Sequence, residues 1–205
     1  MLKISSFTGG IAATNGYLVE TGESAFAVDA PDGMAAWLRA QGKSTLPTLL
    51  LTHLHFDHVQ DAAAIQRDLG AKVYAYADFS KELTLEFLMA FVSGTRFEVA
   101  PFKVDQLLKD VPAVMAGGLA WQVAHVPGHS ADSITFYNPK SGVIFDGDVL
   151  MAGGMGRCDF PGGSEEVLLA GIEKHLMSLP DETVVYSGHG PETTIGTERE
   201  TNPYL

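Results

Sequence analysis

The stretch Thr52-His53-Leu54-His55-Phe56-Asp57-His58 (residues 52–58) decides how this sequence is interpreted. It follows the apolar run TLLLT and precedes VQDAAAIQRDLG, whose apolar residues recur at helical spacing. Three of the seven histidines of the chain fall within six residues here, with a carboxylate among them. A single buried histidine is ordinarily a structural residue, but this grouping indicates a metal site.

The spacing within the stretch predicts how the ligands divide. In an extended or turning loop, residues two apart point to the same side, so His53 and His55 can reach one ion. Asp57 and His58, at the turn into the helix, can reach a second ion. Zinc at catalytic sites accepts such nitrogen and oxygen ligands, usually with three from the protein and water in the open position. Further ligands must therefore come from elsewhere in the chain.

Three loops downstream supply candidates for those ligands. His129 follows Pro127-Gly128 after the strand-like WQVAHV, Asp148 follows Asp146-Gly147 after GVIF, and His189 follows Gly188 after TVVY. Each lies where an apolar strand gives way to glycine, a position from which a rigid scaffold presents a loop residue. Together with the first stretch they complete two coordination shells.

The bulk composition narrows the class of protein. The chain has 205 residues, 46% of them hydrophobic and 19% charged, which suits one globular domain over residues 1–205. Its net charge of −12 disfavours nucleic acid and anionic membranes as partners. No signal peptide or membrane span is evident, and the lone Cys158 suits a reducing compartment, so we expect a cytoplasmic protein. The oligomeric state is not predicted.

The element pattern predicts an α/β fold. Strand-like segments and helices alternate in the first third, a helix is expected from Asp78 to about Phe91, and the strand pattern restarts at LAWQVAHVP. A further helix fits SEEVLLAGIEKHLMSL, with Ser164 as N-cap. Two such halves suggest two sheets facing each other with helices outside, an αββα four-layer sandwich. A doubly wound parallel sheet is the alternative, which hairpin-like strand pairs at both ends disfavour.

The motifs in their full order resemble the metallo-β-lactamase superfamily. They are THLHFDH, PGH at 127–129, GD at 147–148 and GHG at 188–190. The stretches GDVLMAGGMGRCDFPGGS and YSGHGPETTIGTERETNPYL are similar to small bacterial hydrolases of the glyoxalase II type, also called hydroxyacylglutathione hydrolases. The resemblance implies the metallo-β-lactamase αββα sandwich.

The resemblance also implies the site chemistry. His53, His55 and His129 would bind the first ion, Asp57, His58 and His189 the second, and Asp148 would bridge them. A metal-bridging hydroxide would be the nucleophile, with Asp57 and Asp148 as the protein's catalytic carboxylates. Two divalent ions are expected, with zinc favoured and iron or manganese as alternatives. A small-molecule thioester is the first substrate class, because a thiolate leaving group suits zinc.

Several alternatives stay open at this point. The chain ends 16 residues after His189, whereas larger glyoxalase II enzymes hold glutathione with an extra C-terminal helical domain, so glutathione recognition is undecided. A lactone or β-lactam would use the same nucleophile. Related persulfide dioxygenases bind a single iron at the positions of His53, His129 and Asp148. A metal-bound protein without catalysis is a further alternative.

Residues near the downstream motifs are weaker candidates. Arg157 is predicted either to bind a substrate carboxylate or to support the metal loop through Asp159. Asp132 is either an acceptor for an imidazole N–H or, as we favour, a turn residue. Cys158 is expected to be a small packed residue and not a nucleophile, because no base adjoins it in the sequence. His125 and His175 are expected to be structural.

Overall fold

The computed structural model describes residues 2–22, 24–95 and 98–205. This part of the chain divides into two compact units. The N-terminal unit comprises Met1–Leu108 with Ala116–Gly118, and the C-terminal unit comprises Lys109–Met115 with Leu119–Leu205. The expectation of a single domain over residues 1–205 stays a prediction.

The N-terminal unit is built on a mixed sheet whose strands follow chain order. Its strands are β1 (Lys3–Gly9), β2 (Thr14–Glu20), β3 (Ala25–Val28), β4 (Thr48–Leu50), β5 (Lys72–Ala75) and β6 (Gln106–Leu107). The first three pair antiparallel, and β3 to β6 run parallel. Parallel strands need crossover connections, which here contain helices. The predicted alternation of strand and helix is confirmed in this unit.

Helices cover the parallel part of that sheet. They are α1 (Met34–Ala40), α2 (Phe56–Val59), α3 (Ala62–Leu69), α4 (Lys81–Thr84) and α5 (Glu86–Ser93). Leu38 of α1 and Ile65 of α3 pack with Leu49 and Val73 of the sheet in one apolar core. The helix α3 ends where Gly70 takes a left-handed conformation (φ 69°), which glycine adopts without steric cost.

The prediction of one continuous helix from Asp78 to about Phe91 is wrong. The chain forms α4 and α5 instead, separated at Leu85, whose φ is +54°. A leucine in the left-handed backbone conformation destabilises the fold by about 1 kcal/mol or somewhat more. Burial of the Leu85 side chain, and a hydrogen bond of 2.7 Å from the Val99 N–H to the buried Glu86 carboxylate, offset this cost. Neither the burial of Leu85 nor the hydrogen bond between Val99 and Glu86 can be read from the spacing of apolar residues, so the spacing does not predict the break.

The C-terminal unit is built on a second mixed sheet. Its strands are β7 (Ala113–Ala116), β8 (Leu119–His125), β9 (Ile134–Asn138), β10 (Val143–Gly147), β13 (Val184–Ser187) and β14 (Thr193–Thr194), in the order β14-β13-β10-β9-β8-β7. Strands β8, β9 and β10 form antiparallel pairs, whereas β10 and β13 are parallel. A small hairpin, β11 (Leu150–Met151) and β12 (Gly154–Met155), follows β10.

Helix α6 (Glu165–His175) packs on one face of this second sheet. Leu168 and Ile172 of the helix contact Ile144 and Val185 of the sheet in a separate apolar core. The predicted N-cap is confirmed, because the Ser164 hydroxyl accepts a hydrogen bond from the Val167 N–H. A terminal helix, α7 (Ile195–Thr201), begins in the same way at Thr194.

Both units are therefore mixed α/β with a sheet flanked by helices, as predicted. Among residues 2–22, 24–95 and 98–205, no helix has the length and apolar character that crossing a membrane requires.

Candidate metal centre

The N-terminal unit places four predicted ligands at the end of β4. The chain leaves β4 at Leu50, and His55 is the N-cap of the short α2. The side chains of His53, His55 and His58 are buried. The imidazole of His53 lies 4.6 Å from that of His55 and 4.1 Å from that of His58, measured between ring centroids. His53, His55 and His58 thus form one buried cluster of imidazoles.

A carboxylate that sequence analysis missed anchors this cluster. Asp29 follows β3 and is buried, with a left-handed backbone (φ 56°). One of its oxygens accepts a hydrogen bond of 2.8 Å from the Thr52 N–H. The other accepts from the Thr52 hydroxyl at 2.8 Å and from Nδ1 of His58 at 2.9 Å. Asp29 therefore fixes the start of the ligand loop and the orientation of His58.

These hydrogen bonds also assign the tautomers of two histidines. Nδ1 of His58 must carry hydrogen, because the Asp29 carboxylate can only accept. The Thr52 hydroxyl donates its single hydrogen to Asp29, so its 3.1 Å contact with Nδ1 of His53 requires His53 to donate as well. Neutral His53 and His58 therefore both present Nε2 as an electron-pair donor. This is the arrangement that metal-ligating histidines show.

The Asp57 carboxylate is oriented by a hydrogen bond within the same unit. It accepts a hydrogen bond of 2.7 Å from the buried Thr14 hydroxyl at the start of β2. The same carboxylate oxygen lies 3.6 Å from Nε2 of His58. An Nε2 lone pair and a carboxylate oxygen repel each other at this distance, and a cation bound by both relieves the repulsion. Thr14 was also missed by sequence analysis.

In the C-terminal unit, Asp148 lies between two predicted histidine ligands. One Asp148 oxygen lies 3.5 Å from Nε2 of His129 and 3.3 Å from Nε2 of His189. These residues are far apart in sequence, and strand pairing brings two of them together. Strands β10 and β13 run parallel, and the Gly188 N–H donates to the Gly147 carbonyl at 2.7 Å. Their carboxyl ends therefore present Asp148 and His189 side by side.

His129 is positioned by backbone groups. Its Nδ1 lies 2.7 Å from the Arg157 carbonyl oxygen, an acceptor, so Nδ1 carries hydrogen. Neutral His129 therefore presents Nε2 toward Asp148, as His58 does toward Asp57. The preceding Gly128 has φ 130°, and a Cβ there would lie 2.5 Å from the Leu168 backbone nitrogen. Only glycine fits between the His129 loop and α6.

Two other carboxylates near these ligands have local structural partners. Asp132 accepts a hydrogen bond of 2.5 Å from the Ser130 hydroxyl, which agrees with the favoured interpretation as a turn residue. The Asp146 carboxylate accepts from the Leu150 N–H at 2.9 Å and thereby holds the turn that carries Asp148.

The Arg157 side chain is paired within its own loop. Its guanidinium donates to both oxygens of Asp159 at 2.7 and 2.6 Å and lies 4.2 Å from the centre of the Phe160 ring. The hydrogen bonds from Arg157 lower the pKa of Asp159 to about 2. This pairing favours support of the loop, and a role for Arg157 in substrate binding stays a prediction.

Neighbouring Cys158 lies in an environment that opposes thiolate formation. Burial raises the pKa of its thiol, and the carboxylates of Glu165 and Asp159 raise it further. The thiol therefore stays protonated at neutral pH, which agrees with the expectation that Cys158 is not a nucleophile.

Each unit thus holds its own half of the predicted ligand set. The N-terminal unit groups His53, His55, Asp57 and His58, and the C-terminal unit groups His129, Asp148 and His189. That all seven surround one pair of ions stays a prediction.

Comparison with known proteins places the chain in a family. The family model described as the metallo-beta-lactamase superfamily matches residues 9–189. The hydroxyacylglutathione hydrolase GloC of Haemophilus influenzae is 35% identical over 164 residues, covering 78% of this chain and 76% of GloC.

Two solved structures are similar over nearly the whole chain. BLEG-1, a B3 metallo-beta-lactamase, is 33% identical with a TM-score of 0.88 and covers 99% of both chains. TTHA1623, solved in a di-iron-bound form, is 37% identical with a TM-score of 0.83 and covers 98% of this chain and 100% of that one. The chain has the metallo-β-lactamase fold, mixed α/β with sheets flanked by helices, and it belongs to the metallo-β-lactamase superfamily.

Proposed function

We propose that this protein is a dinuclear metal-dependent hydrolase that cleaves a small thioester, in the manner of glyoxalase II. The observation that carries the proposal is the hydrogen bonding of His53, His58 and His129. Each donates from Nδ1 to an oxygen of the protein and so presents Nε2 as a ligand. Three pre-oriented imidazoles exceed what a structural role in the core requires.

The residues fit divalent metal ions by the chemistry of their donor atoms. In this proposal His53, His55 and His129 would hold one ion, Asp57, His58 and His189 would hold the other, and Asp148 would be shared by both. Imidazole nitrogen and carboxylate oxygen suit zinc, iron and manganese alike. The structure of the relative TTHA1623 was solved in a di-iron-bound form, so both iron and the favoured zinc should be added back in activity assays.

The chain's own residues prepare the site for hydrolysis. When bound, two such ions lower the pKa of a shared water toward neutrality and polarise an acyl carbonyl. Asp57, oriented by the Thr14 hydroxyl, and Asp148, beside two imidazoles, are the carboxylates that can hold or accept a proton there. The buried imidazoles keep the ligand positions away from bulk solvent.

Two relatives favour different acyl groups. Similarity to the hydroxyacylglutathione hydrolase GloC supports a thioester substrate. Similarity to BLEG-1 supports a β-lactam as the second candidate, since the same site chemistry would attack a lactam carbonyl. A thiolate leaving group matches the borderline softness of zinc, which favours the thioester.

The test pairs elemental analysis of freshly purified protein with hydrolysis of a substrate panel. We expect about two equivalents of metal per chain. The expected activity is cleavage of S-lactoylglutathione or a simpler thioester, lost on chelation and restored by zinc, iron or manganese. The panel should include a lactone and a β-lactam.

Different results would separate the alternatives. Turnover of the β-lactam without thioester turnover would replace the substrate assignment and keep the metal site. One iron per chain with oxygen uptake on glutathione persulfide would favour the dioxygenase alternative. Protein with two metals per chain that cleaves no member of the panel would contradict the proposed activity.

A further inference from the structure

A groove in the C-terminal unit is separate from the residues of the metal centre. It has a volume of about 600 Å³ and lies where α6 ends over the sheet. The strands β8 and β9 form its floor, and residues 174–179 form one wall. None of His129, Asp148 and His189 is among the described residues that line it.

Part of one face of this sheet is left open because α6 ends before it covers the side chains there. Gln122 pairs with Tyr137 and Ala124 with Thr135, so these four side chains share one face. Ile144, opposite Tyr137 on the next strand, is covered by α6 on that face. The helix ends at His175, which leaves polar side chains of the same face along the groove.

The lining is basic in a strongly acidic protein. Lys174, His125 and His175 all line the groove, and the described residues that line it include no aspartate or glutamate. The whole chain carries a net charge of −12, so a lining without carboxylates is a local exception. The hydroxyl group of Tyr137 adds a hydrogen-bond donor.

The backbone carbonyls at the end of α6 are engaged in hydrogen bonds. Negative partial charge there would otherwise disfavour an anion. The Arg199 guanidinium donates to the carbonyls of Met177 and Leu179 at 2.7 and 3.2 Å, and the Ser178 hydroxyl donates to the Lys174 carbonyl at 3.1 Å. The Arg199 guanidinium, which is also paired with Asp181, therefore occupies the carbonyls of the turn that follows α6.

The surroundings of His175 favour the neutral form of its imidazole. Burial lowers the pKa of its imidazole, and the nearby Lys174 and His125 lower it further. His175 is therefore uncharged at neutral pH and would serve an anion as an N–H donor, while Lys174 carries the positive charge of the lining.

We propose that this groove binds a small anion through a phosphate or carboxylate group, with the Lys174 ammonium as the cation and His175 and Tyr137 as hydrogen-bond donors. Nε2 of His125 donates to the Ala131 carbonyl at 2.9 Å, so that imidazole lines the groove without donating to the anion. Its volume exceeds that of a single phosphate, so the ligand can extend along the floor formed by β8 and β9. The site uses no residue of the proposed metal centre, and the inference does not depend on the proposed hydrolase activity.

The test is isothermal titration of the purified, metal-containing protein with inorganic phosphate, and separately with acetate, at constant ionic strength and neutral pH. We expect saturable phosphate binding that K174Q weakens by about tenfold, since a charge-assisted hydrogen bond is lost. H175Q should weaken it less. The matched control is K140Q, because Lys140 is also an exposed lysine of this unit but does not line the groove.

The two titrations identify the chemistry of the anion. Tighter binding of phosphate than acetate, sensitive to K174Q, assigns a phosphate group, and the reverse order assigns a carboxylate. Identical isotherms for the unmodified protein and K174Q would overturn the proposal, since any binding would then belong elsewhere, the metal centre included. Absence of saturable binding of both anions would overturn it equally.

Discussion

The two units hold their ligands by different means. In the N-terminal unit, four ligands lie within six residues, and a side chain anchors them: the Asp29 carboxylate holds Thr52 and His58. In the C-terminal unit, three ligands come from separate loops, and backbone groups hold them. The Arg157 carbonyl fixes His129, and the pairing of β10 with β13 fixes Asp148 and His189.

The difference predicts which kind of substitution displaces the ligands of each unit. The N-terminal half depends on one buried carboxylate, so a change of a single charge should loosen it. The C-terminal half depends on how closely backbone segments approach each other, so an added methyl group should distort it. Substitutions at the side-chain anchor and at the backbone anchor should therefore weaken metal binding by different means, and both effects should be smaller than loss of the shared ligand Asp148.

Asp148→Asn should have the largest effect. The amide keeps the shape of the side chain but loses the negative charge beside His129 and His189. Losing several kcal/mol of metal-assisted stabilisation corresponds to about a thousandfold lower kcat/KM for the thioester. Metal content and turnover are measured together. The matched control is Asp146→Asn, whose amide oxygen can still accept from the Leu150 N–H and which should keep its metal. Equal loss of metal in both variants would contradict a specific role for Asp148.

Asp29→Asn should have the next largest effect and tests the side-chain anchor. Asparagine tolerates the left-handed backbone at this position, so the change isolates the carboxylate. With its carbonyl oxygen accepting from Thr52, its amide N–H groups face the Nδ1–H of His58, donor against donor. We expect a 10–100-fold weaker metal affinity, measured by competition with a chelator. The control is Asp32→Asn, an exposed carboxylate three residues later. Unchanged affinity in Asp29→Asn would show that Asp29 serves folding alone.

Gly156→Ala should have the smallest of the three effects and tests the backbone anchor. A methyl group there would collide with the Asp148 carbonyl oxygen and lie 3.0 Å from the His129 Cβ. Overpacking of this kind costs about 1–3 kcal/mol. Gly154→Ala is the control, because a Cβ there meets nothing within 4 Å. Thermal unfolding and metal affinity should fall for Gly156→Ala and stay near the original for Gly154→Ala. Equal behaviour of the two variants would show that the close packing at residue 156 does not position the ligands.

Much of this structure could be predicted from local patterns. Ser164 as the N-cap of α6 and the strand before His53 were predictable because capping and apolar runs act over a few residues. The break at Leu85 could not be predicted, because it depends on burial of Leu85 and on the bond between Glu86 and Val99, 13 residues apart. Asp29 and Thr14 were not predicted either, although the carboxylate directly after the apolar run AFAV was a signal for Asp29.

The sequence by itself determined which side chains can bind metal and the local elements that carry them, because donor chemistry and short-range spacing are written in neighbouring residues. Only the tertiary structure decided which partners orient those side chains. His58 meets Asp29 across 29 residues, and Asp148 meets His189 through parallel strands. Such contacts depend on strand order and register, which are set by packing of the whole unit and not by any local preference.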